Sequence, residues 1–209
     1  MRTGLFITLE GIEGVGKTTQ IDYVGELFRQ NGKQVTMTRE PGGTSVGEAI
    51  RDILLNSLDL DISKETELLL MFAARAQHVN RIIEPALARN EVVICDRFTD
   101  ASFAYQGGGR GISRERIEQL KIWVQGDLQP DLTLLLDAPV EIGLARAGRR
   151  GEPDRFESET ISFFESIRQE YLSMAKTESK RIAVIDATPD AETVQRQIHE
   201  ILRSRNYLC

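Results

Sequence analysis

Cysteine is scarce in this sequence, and its scarcity excludes several kinds of small protein. Only 2 cysteines occur in 209 residues, Cys95 within an apolar run and Cys209 at the end of the sequence. They are too few for a disulfide framework, and their spacing does not match a metal site. Histidine is equally rare: His78 and His199 lie in helical patterns without a partnering Cys or Asp, so neither is assigned to a metal or to catalysis.

An excess of positive charge and long apolar runs are also missing. The formal net charge is −6 at pH 7, whereas proteins whose surface follows nucleic acid usually carry a basic footprint. No apolar run approaches the roughly 18 residues of a membrane span, and no hydrophobic signal segment follows Met1. We therefore expect a cytoplasmic protein with neither nucleic acid nor a membrane as its partner.

The remaining composition is that of an ordinary globular protein. Hydrophobic residues make up 41% of the chain and charged residues 28%, with only 6 prolines, which disfavours a disordered or fibrous protein. A length of 209 residues is enough to bury one core without disulfides or metals. Because the sequence shows no repeat and no interdomain linker, we predict a single domain over residues 1–209.

Five short apolar runs are predicted strands, and stretches with helical spacing separate them. The runs are continuous rather than alternating in polarity, which is typical of a parallel sheet covered on both faces. Strands that alternate with helices predict a three-layer α/β sandwich. Pro85 falls late in the longest predicted helix, where it should kink or end it. The predicted strands are 5–10, 35–39, 92–96, 132–137 and 182–186, and the predicted helices are 20–30, 46–55, 66–89, 114–124, 161–174 and 191–203.

A glycine-rich motif follows the first predicted strand. Residues 11–18 match the pattern GxxxxGK[ST] between a strand and a helix, which is the context of a phosphate-binding loop. The loop N–H groups would surround phosphate oxygens, Lys17 would reach the β and γ phosphates of ATP, and Thr18 would offer its hydroxyl to Mg²⁺. The alternative, a glycine-rich turn without a ligand, is disfavoured by the spacing and the Lys-Thr pair. The predicted ATP-binding residues here are Gly11, Ile12, Glu13, Gly14, Val15, Gly16, Lys17, Thr18 and Thr19.

Glu13 is unusual within this loop. A carboxylate that pointed into a phosphate cradle would be repelled by its ligand, so we expect Glu13 to point outward, toward a hydroxyl on the sugar of a second ligand. The alternative is a solvated glutamate on a loop.

Charged side chains end the second and third predicted strands. Arg39 ends the second, and Asp96 ends the third and is followed by Arg97. Arginine suits bidentate capture of phosphate, so Arg39 and Arg97 are predicted to hold an acceptor phosphate in line with the donor. Asp96 resembles the strand-end aspartate that holds Mg²⁺ beside such a loop. Structural ion pairs are the alternative for each motif alone.

Together these motifs resemble the thymidylate kinase family, of the bacterial type, over essentially the whole length of the chain. The resemblance implies a P-loop nucleotide kinase fold with a five-stranded parallel sheet, a short Arg-rich lid at about 146–157, Mg·ATP as donor, dTMP as acceptor and a homodimer packed through helices. The motifs that carry it are the phosphate-binding loop with Glu13, the segments 39–44, 72–77, 96–98 and 105–107, and the Arg-rich segment near residue 150.

The resemblance also implies roles on the acceptor side. Phe72 would stack on the thymine ring and Arg75 would hydrogen-bond its edge, with Ser102 and Gln106 completing recognition of the base. Tyr105 would pack under the sugar and crowd out a 2′-hydroxyl. From the residues alone, Phe72 in an apolar helix is more often a core residue, and the glycine-rich segment 105–109 is typical of a flexible loop.

Positive charge for phosphoryl transfer is predicted to come from the lid. Val15 stands where some members of the family have an arginine in the phosphate-binding loop. In relatives without that arginine, the resemblance implies that the lid supplies the catalytic arginine. Arg150 is the first choice and Arg149 the second, beside Lys17 and Arg97 in the catalytic set. Three further positions are predicted to bind ATP, which are Arg146, Arg155 and, in the loop after the last strand, Ala187. A solvated basic loop is the alternative for the lid segment.

The sequence therefore predicts transfer of the ATP γ-phosphoryl group to dTMP, without a general base because the acceptor phosphate is already an oxyanion. The nearest rival is a kinase of the same scaffold acting on dUMP, a deoxynucleoside or a guanine nucleotide. A rival of another class is a nucleotide-hydrolysing switch protein, against which the absence of an NKxD motif and the acceptor-side arginines argue. No GxSxG motif supports a hydrolase.

Overall fold

Five parallel strands form one sheet in a computed structural model that describes residues 3–56, 60–148 and 155–208. The strand order is β2-β3-β1-β4-β5, so β1 is central. The predicted strands and the α/β class are confirmed, and the strand bounds match the prediction. The strands are β1 Leu5–Glu10, β2 Val35–Arg39, β3 Val92–Asp96, β4 Leu132–Asp137 and β5 Ile182–Asp186.

The sheet register brings the predicted site residues to one edge. Leu9 of β1 and Arg39 of β2 both pair with Asp96 of β3, and the glycine-rich loop starts at Gly11, directly after β1. Ligands in open parallel sheets lie beyond the carboxyl ends of the strands. The candidate site is therefore expected at this edge.

The predicted helices are present, most of them within three residues of their expected ends. The helices are α1 Lys17–Gln30, α2 Ser45–Asn56, α3 Lys64–His78, α4 Glu84–Ala88, α5 Thr99–Ser102, α6 Arg114–Gln125, α7 Val140–Ala147, α8 Ile161–Thr177 and α9 Ala191–Ser204. Sequence patterns missed α5, α7 and the π-helical segment Phe103–Gly109. Residues 105–109 are thus helical rather than an irregular loop. None of the described helices is long and apolar enough to cross a membrane.

The long predicted helix over 66–89 is continuous but not uniform. Between α3 and α4 lies a π-helical segment, Val79–Ile83. Pro85 stands in the first turn of α4, where its missing N–H and its ring disturb the preceding hydrogen bonds. The proline therefore widens the helix without ending it.

The central strand β1 is buried on both faces of the sheet. Phe6 and Glu10 lie on one face of β1, while Ile7 and Leu9 lie on the other, because side chains alternate along a strand. All four are fully buried. A fully buried carboxyl group such as that of Glu10 is unusual.

Candidate active site

The glycine-rich loop adopts a conformation that requires its glycines. Gly14 has a φ of 72°, and a Cβ added there would lie 1.9 Å from the Gly143 carbonyl oxygen of α7. Lys17 Nζ donates to the carbonyl oxygens of Gly11 at 3.0 Å and Ile12 at 2.8 Å. Burial, reinforced by the charge of Arg97, lowers the pKa of Lys17 to about 8. An anionic phosphate would stabilise the charged form of this lysine.

Glu13 faces the strand-end residues. Arg97 Nη2 donates to Glu13 Oε1 at 2.8 Å, and the Tyr105 hydroxyl donates to the same oxygen at 2.7 Å. Arg97 Nη2 also donates to the Tyr105 oxygen at 2.9 Å. A loop carboxylate, a strand-end guanidinium and a phenol thus form one polar cluster beside the phosphate-binding loop.

This cluster forms part of the wall of a cavity that opens to solvent. Six predicted acceptor-side residues line it, which are Glu13, Arg75, Arg97, Ser102, Tyr105 and Gln106. Arg39 does not line it; its side chain is 53% exposed and pairs with Glu48 at 2.8 Å. The structure therefore brings together residues from the glycine-rich loop, α3, the end of β3, α5 and the following π-helical segment.

Phe72 is not on the wall of this cavity. Its ring is 2% exposed and packs in the core, under the Arg75 guanidinium at 4.6 Å from the ring centroid. Met71 lines the cavity instead. Adjacent helical residues point about 100° apart, whereas residues four apart share a face, so Met71 and Arg75 project on the same side of α3. The structure does not support the stacking position implied for Phe72.

Arg75 is held in a buried network that sequence reasoning missed. Its Nε donates to Glu40 Oε2 at 2.7 Å, and Glu40 Oε1 lies 2.9 Å from His78 Nδ1. The other ring nitrogen of His78 lies 2.6 Å from the Thr38 hydroxyl. Within the described part of the chain, Arg75 Nη1 is buried without a hydrogen-bond partner. The only sequence signal for Glu40 was its place inside the motif 39–44.

Arg51 is a second residue that the motifs did not reveal. It lines the cavity from α2 and donates from Nη1 to the Pro41 carbonyl at 2.9 Å. Burial and the neighbouring charges of Arg39 and Arg97 lower its pKa. Arg51 therefore adds to the positive potential of the acceptor side. Phe156, near the end of the predicted lid segment, also lines the cavity. No sequence motif indicated this residue.

Arg155 lies on the acceptor side, which differs from its predicted ATP contact. Its Nη2 donates to Glu67 Oε2 at 2.6 Å and its Nε donates to the Leu54 carbonyl at 2.8 Å. Glu67 is fully buried and needs cationic partners, which accounts for the position of Arg155. Gln106 Nε2 donates to the other Glu67 oxygen at 2.9 Å.

A second cleft is lined by other residues of the phosphate-binding loop. Arg146 also lines it, with Nη1 donating to the Ala187 carbonyl and Nη2 to the Thr188 carbonyl, both at 2.8 Å. Arg149 and Arg150 lie outside the described residues. The predicted ATP-binding residues that line the cleft are Gly14, Val15, Gly16, Thr19, Arg146 and Ala187.

The residues predicted to hold Mg²⁺ suit a sparsely liganded ion. Asp96 Oδ1 is buried and has no hydrogen-bond partner among residues 3–56, 60–148 and 155–208, and Thr18 is exposed in the first turn of α1. Over the same residues, no group of three or more His, Cys, Asp or Glu side chains could hold a metal. Mg²⁺ at phosphate sites usually takes one or two carboxylates together with waters and phosphate oxygens. The donor set therefore fits that ion.

Comparison with known proteins agrees with this geometry. The family model described as thymidylate kinase matches residues 9–198. The chain is 58% identical over 200 residues to a thymidylate kinase of Pseudomonas syringae pv. tomato, covering 96% of this chain and 95% of that protein. It is 55% identical over 207 residues to one from Ectopseudomonas mendocina, covering 99% of each. The crystal structure of thymidylate kinase from Ehrlichia chaffeensis superposes with a TM-score of 0.76 at 33% identity, covering 95% of this chain and 98% of that one. The chain therefore belongs to the thymidylate kinase family.

Proposed function

We propose that this protein transfers the γ-phosphoryl group of ATP to dTMP, releasing ADP and dTDP, and so supplies dTTP for DNA synthesis in the cytoplasm. The observation that carries the proposal is a pair of buried donors without protein partners in the described chain, Arg75 Nη1 and Arg97 Nε. Both belong to residues of the acceptor cavity wall. Unpaired buried donors are costly, and a ligand that accepts hydrogen bonds at both places would satisfy them.

The base end of the cavity suits thymine. Arg75 offers a donor, and Gln106, whose Nε2 is already bonded to Glu67, has its carbonyl oxygen left as an acceptor. Thymine presents a carbonyl oxygen beside an N–H, whereas cytosine presents a donor and an acceptor in the reverse order. A site built to pair with one order rejects the other strongly. We assign Met71 to the face of the ring, and Ser102, 2% exposed, to further polar contact with the base.

The sugar and phosphate of the acceptor would lie toward the glycine-rich loop. Glu13 would accept a hydrogen bond from the sugar hydroxyl, and Tyr105, fixed by Glu13, would leave no room for a 2′-hydroxyl. Arg97 and Arg51 would bind the phosphate, with Arg39 as a predicted third cation. Such a cluster holds the acceptor oxyanion in line and lowers its repulsion from ATP.

The donor would occupy the second cleft. Lys17 and the loop N–H groups bind its phosphates, and the Arg146 guanidinium braces the loop of Ala187 beside the adenine. Thr18 and Asp96 would hold Mg²⁺, which when bound neutralises charge on the β and γ phosphates. Arg149 and Arg150 are proposed to add positive charge when the lid closes and excludes water.

We also propose a homodimer formed through the helices of one face. α3 packs against both α2 and α6, and all three helices expose large apolar side chains. The most exposed are Leu69 at 56%, Ile122 at 62% and Trp123 at 82%. Exposed aromatic and aliphatic groups of this size are typical of protein interfaces. A second copy of the chain is the occupant that we assign to this face.

The function is tested by ADP release with Mg·ATP and a panel of acceptors: none, dTMP, dUMP, ribo-TMP, dCMP, dGMP and thymidine. Fast turnover with dTMP and little with dCMP or thymidine is the expected result. Equal turnover without an acceptor would favour the switch-protein rival and remove the roles given to Arg75 and Gln106.

A further inference from the structure

The turn that carries Arg97 has an unfavourable backbone. Arg97 has a φ of 65°, in the left-handed region where a residue with a Cβ is uncommon. Phe98 follows with a φ of −150° and a ψ of −142°. Such a conformation persists only where its surroundings determine it. The place of the Arg97 guanidinium in the acceptor cavity therefore depends on whatever holds this turn.

Three backbone groups of the turn are held by the neighbouring strand, by the third strand itself and by α3. The Arg97 N–H donates to the Leu9 carbonyl at 3.0 Å, and the Cys95 thiol donates to the Arg97 carbonyl at 2.9 Å. Arg75 Nη2 donates to the Phe98 carbonyl at 3.2 Å. These contacts leave one polar group of the turn, the Phe98 N–H.

The Phe98 N–H donates to Oε1 of Glu10 over 2.7 Å. Glu10 ends β1 and is 0% exposed. Its second oxygen lies 2.6 Å from the hydroxyl of Tyr171 on α8, and the Tyr171 ring packs edge-on against Tyr105, with centroids 6.5 Å apart. No Lys or Arg of the described chain forms an ion pair with Glu10. Burying a carboxyl group without an ion-pair partner costs folding free energy, which its two hydrogen bonds partly offset.

We propose that Glu10 is a positioning residue for Arg97: its carboxyl group bridges Tyr171 to the Phe98 N–H and thereby sets where the Arg97 guanidinium meets the acceptor phosphate. This inference rests on the proposed function, because it takes Arg97 as a phosphate ligand. Glu10 is not among the residues that line either cleft, so it acts through the turn.

The bridge requires hydrogen bonding and not charge. Burial, followed by the nearby negative charge of Asp100, raises the pKa of the Glu10 carboxyl to about 8. Oε1 accepts from the Phe98 N–H and Oε2 accepts from the Tyr171 hydroxyl. A hydroxyl both donates and accepts, so Tyr171 can rotate to accept from a protonated carboxyl group, which has one acceptor and one donor. A glutamine has the same shape and the same arrangement of one acceptor and one donor. It should therefore replace the glutamate, whereas an apolar side chain of similar length should not.

The test compares Glu10→Gln with Glu10→Met by steady-state kinetics and by calorimetric titration with dTMP. Glu10→Gln should keep the acceptor KM and kcat of the parent. Glu10→Met should lose about 10- to 100-fold in kcat/KM for dTMP, the order expected when a catalytic contact moves by about 1 Å, with the KM for ATP unchanged. Tyr171→Phe should shift the same parameters in the same direction, and it serves if Glu10→Met does not fold.

Two controls separate positioning from general destabilisation. Thr8 lies on β1, as Glu10 does, and its hydroxyl forms a buried hydrogen bond with Thr133 of β4. Thr8→Val removes this bond and should leave dTMP kinetics unchanged. In an Arg97→Ala background, Glu10→Met should cause no further loss of dTMP affinity, because residues that act through one another are not additive.

Normal dTMP kinetics in both Glu10→Met and Tyr171→Phe, or an additive loss of affinity in the double variant, would overturn the inference. Failure of the proposed function would look different, since the parent itself would then neither bind nor phosphorylate dTMP.

Discussion

Arg75 and Glu40 form a buried ion pair in which Nε lies 2.7 Å from Oε2, with the side chains 2% and 5% exposed. Desolvation cancels much of the Coulomb energy of such a pair, so its value here is geometric: it fixes the guanidinium plane and leaves Nη1 for a ligand. His78 Nδ1 lies 2.9 Å from the other Glu40 oxygen, so both oxygens of the carboxylate have hydrogen-bond partners.

Glu40→Gln is expected to weaken both folding and acceptor binding. It leaves the buried charge of Arg75 uncompensated, which costs about 3–5 kcal/mol when a buried pair is broken. Urea denaturation and the KM for dTMP measure the two effects. The matched control is Glu48→Gln, which breaks the exposed Arg39 pair and should cost less than about 1 kcal/mol; equal losses in the two variants would refute the structural role of Glu40.

Met71 and Phe72 are expected to separate binding from stability. Met71→Ala should raise the KM for dTMP with little loss of stability, because Met71 is only partly buried and lines the cavity. Phe72→Ala should cost about 3–5 kcal/mol of stability, as core phenylalanines do, while the folded fraction keeps its KM. Kinetics and denaturation of both variants decide the assignment, and the reverse pattern would restore the stacking role to Phe72.

Local patterns were sufficient to predict the strands and the phosphate-binding loop, because continuous apolar runs and a fixed motif spacing act within a few residues. They could not determine whether Met71 or Phe72 faces the cavity, since that depends on how α3 is rotated by its tertiary packing. The Arg155–Glu67 contact joins residues 88 positions apart. No pattern near Arg155 indicates that its partner is Glu67. The sequence alone therefore could not distinguish this contact from the implied ATP contact.

Asp96→Asn is expected to raise the Mg²⁺ requirement. The substitution removes the charge of a buried carboxylate whose Oδ1 has no hydrogen-bond partner within the described chain, and Mg²⁺ binds charged oxygen ligands. The Mg²⁺ concentration for half-maximal activity should rise by about tenfold or more, on the scale seen when metal-site partners are lost. Chelation of divalent cations should abolish transfer by the parent. An unchanged Mg²⁺ titration in Asp96→Asn would exclude this residue as a metal ligand.

The free energy of unfolding should depend on pH because Glu10 ionises at different pH values in the folded and unfolded states. Burial raises its pKa from 4.5 to about 8, so between these values the folded state keeps a proton that the unfolded state has lost. The stability from this group is therefore complete below about pH 4.5 and declines as the pH rises to about 8, with a slope of at most about 1.4 kcal/mol per pH unit.

Glu10→Gln removes that titration, so the stability of the parent minus that of the variant should fall as pH rises across the window. Urea denaturation at a series of pH values measures the difference. Thr8→Val is the control, and its difference from the parent should stay constant. A constant difference for Glu10→Gln as well would show that the carboxyl group titrates normally.

Trp123→Lys is expected to dissociate the proposed homodimer. The side chain is 82% exposed on α6, and a lysine there would place a charge in an apolar interface. Sedimentation velocity at several concentrations measures the mass. Val184→Lys, on the edge strand β5 and 48% exposed in the parent, is the matched control. A parent that sediments as a monomer, or a Trp123→Lys variant that stays dimeric, would contradict the assignment of this face.

In the proposed reaction, the acceptor cavity receives a nucleotide whose phosphate takes the γ-phosphoryl group of ATP. The most direct measurement follows the label from [γ-³²P]ATP with Mg²⁺ and dTMP, and identifies the labelled product by chromatography. Label in dTDP, absent when thymidine replaces dTMP and lost in Arg97→Ala, is the predicted result. Label released as inorganic phosphate at the same rate with and without dTMP would contradict phosphoryl transfer to dTMP.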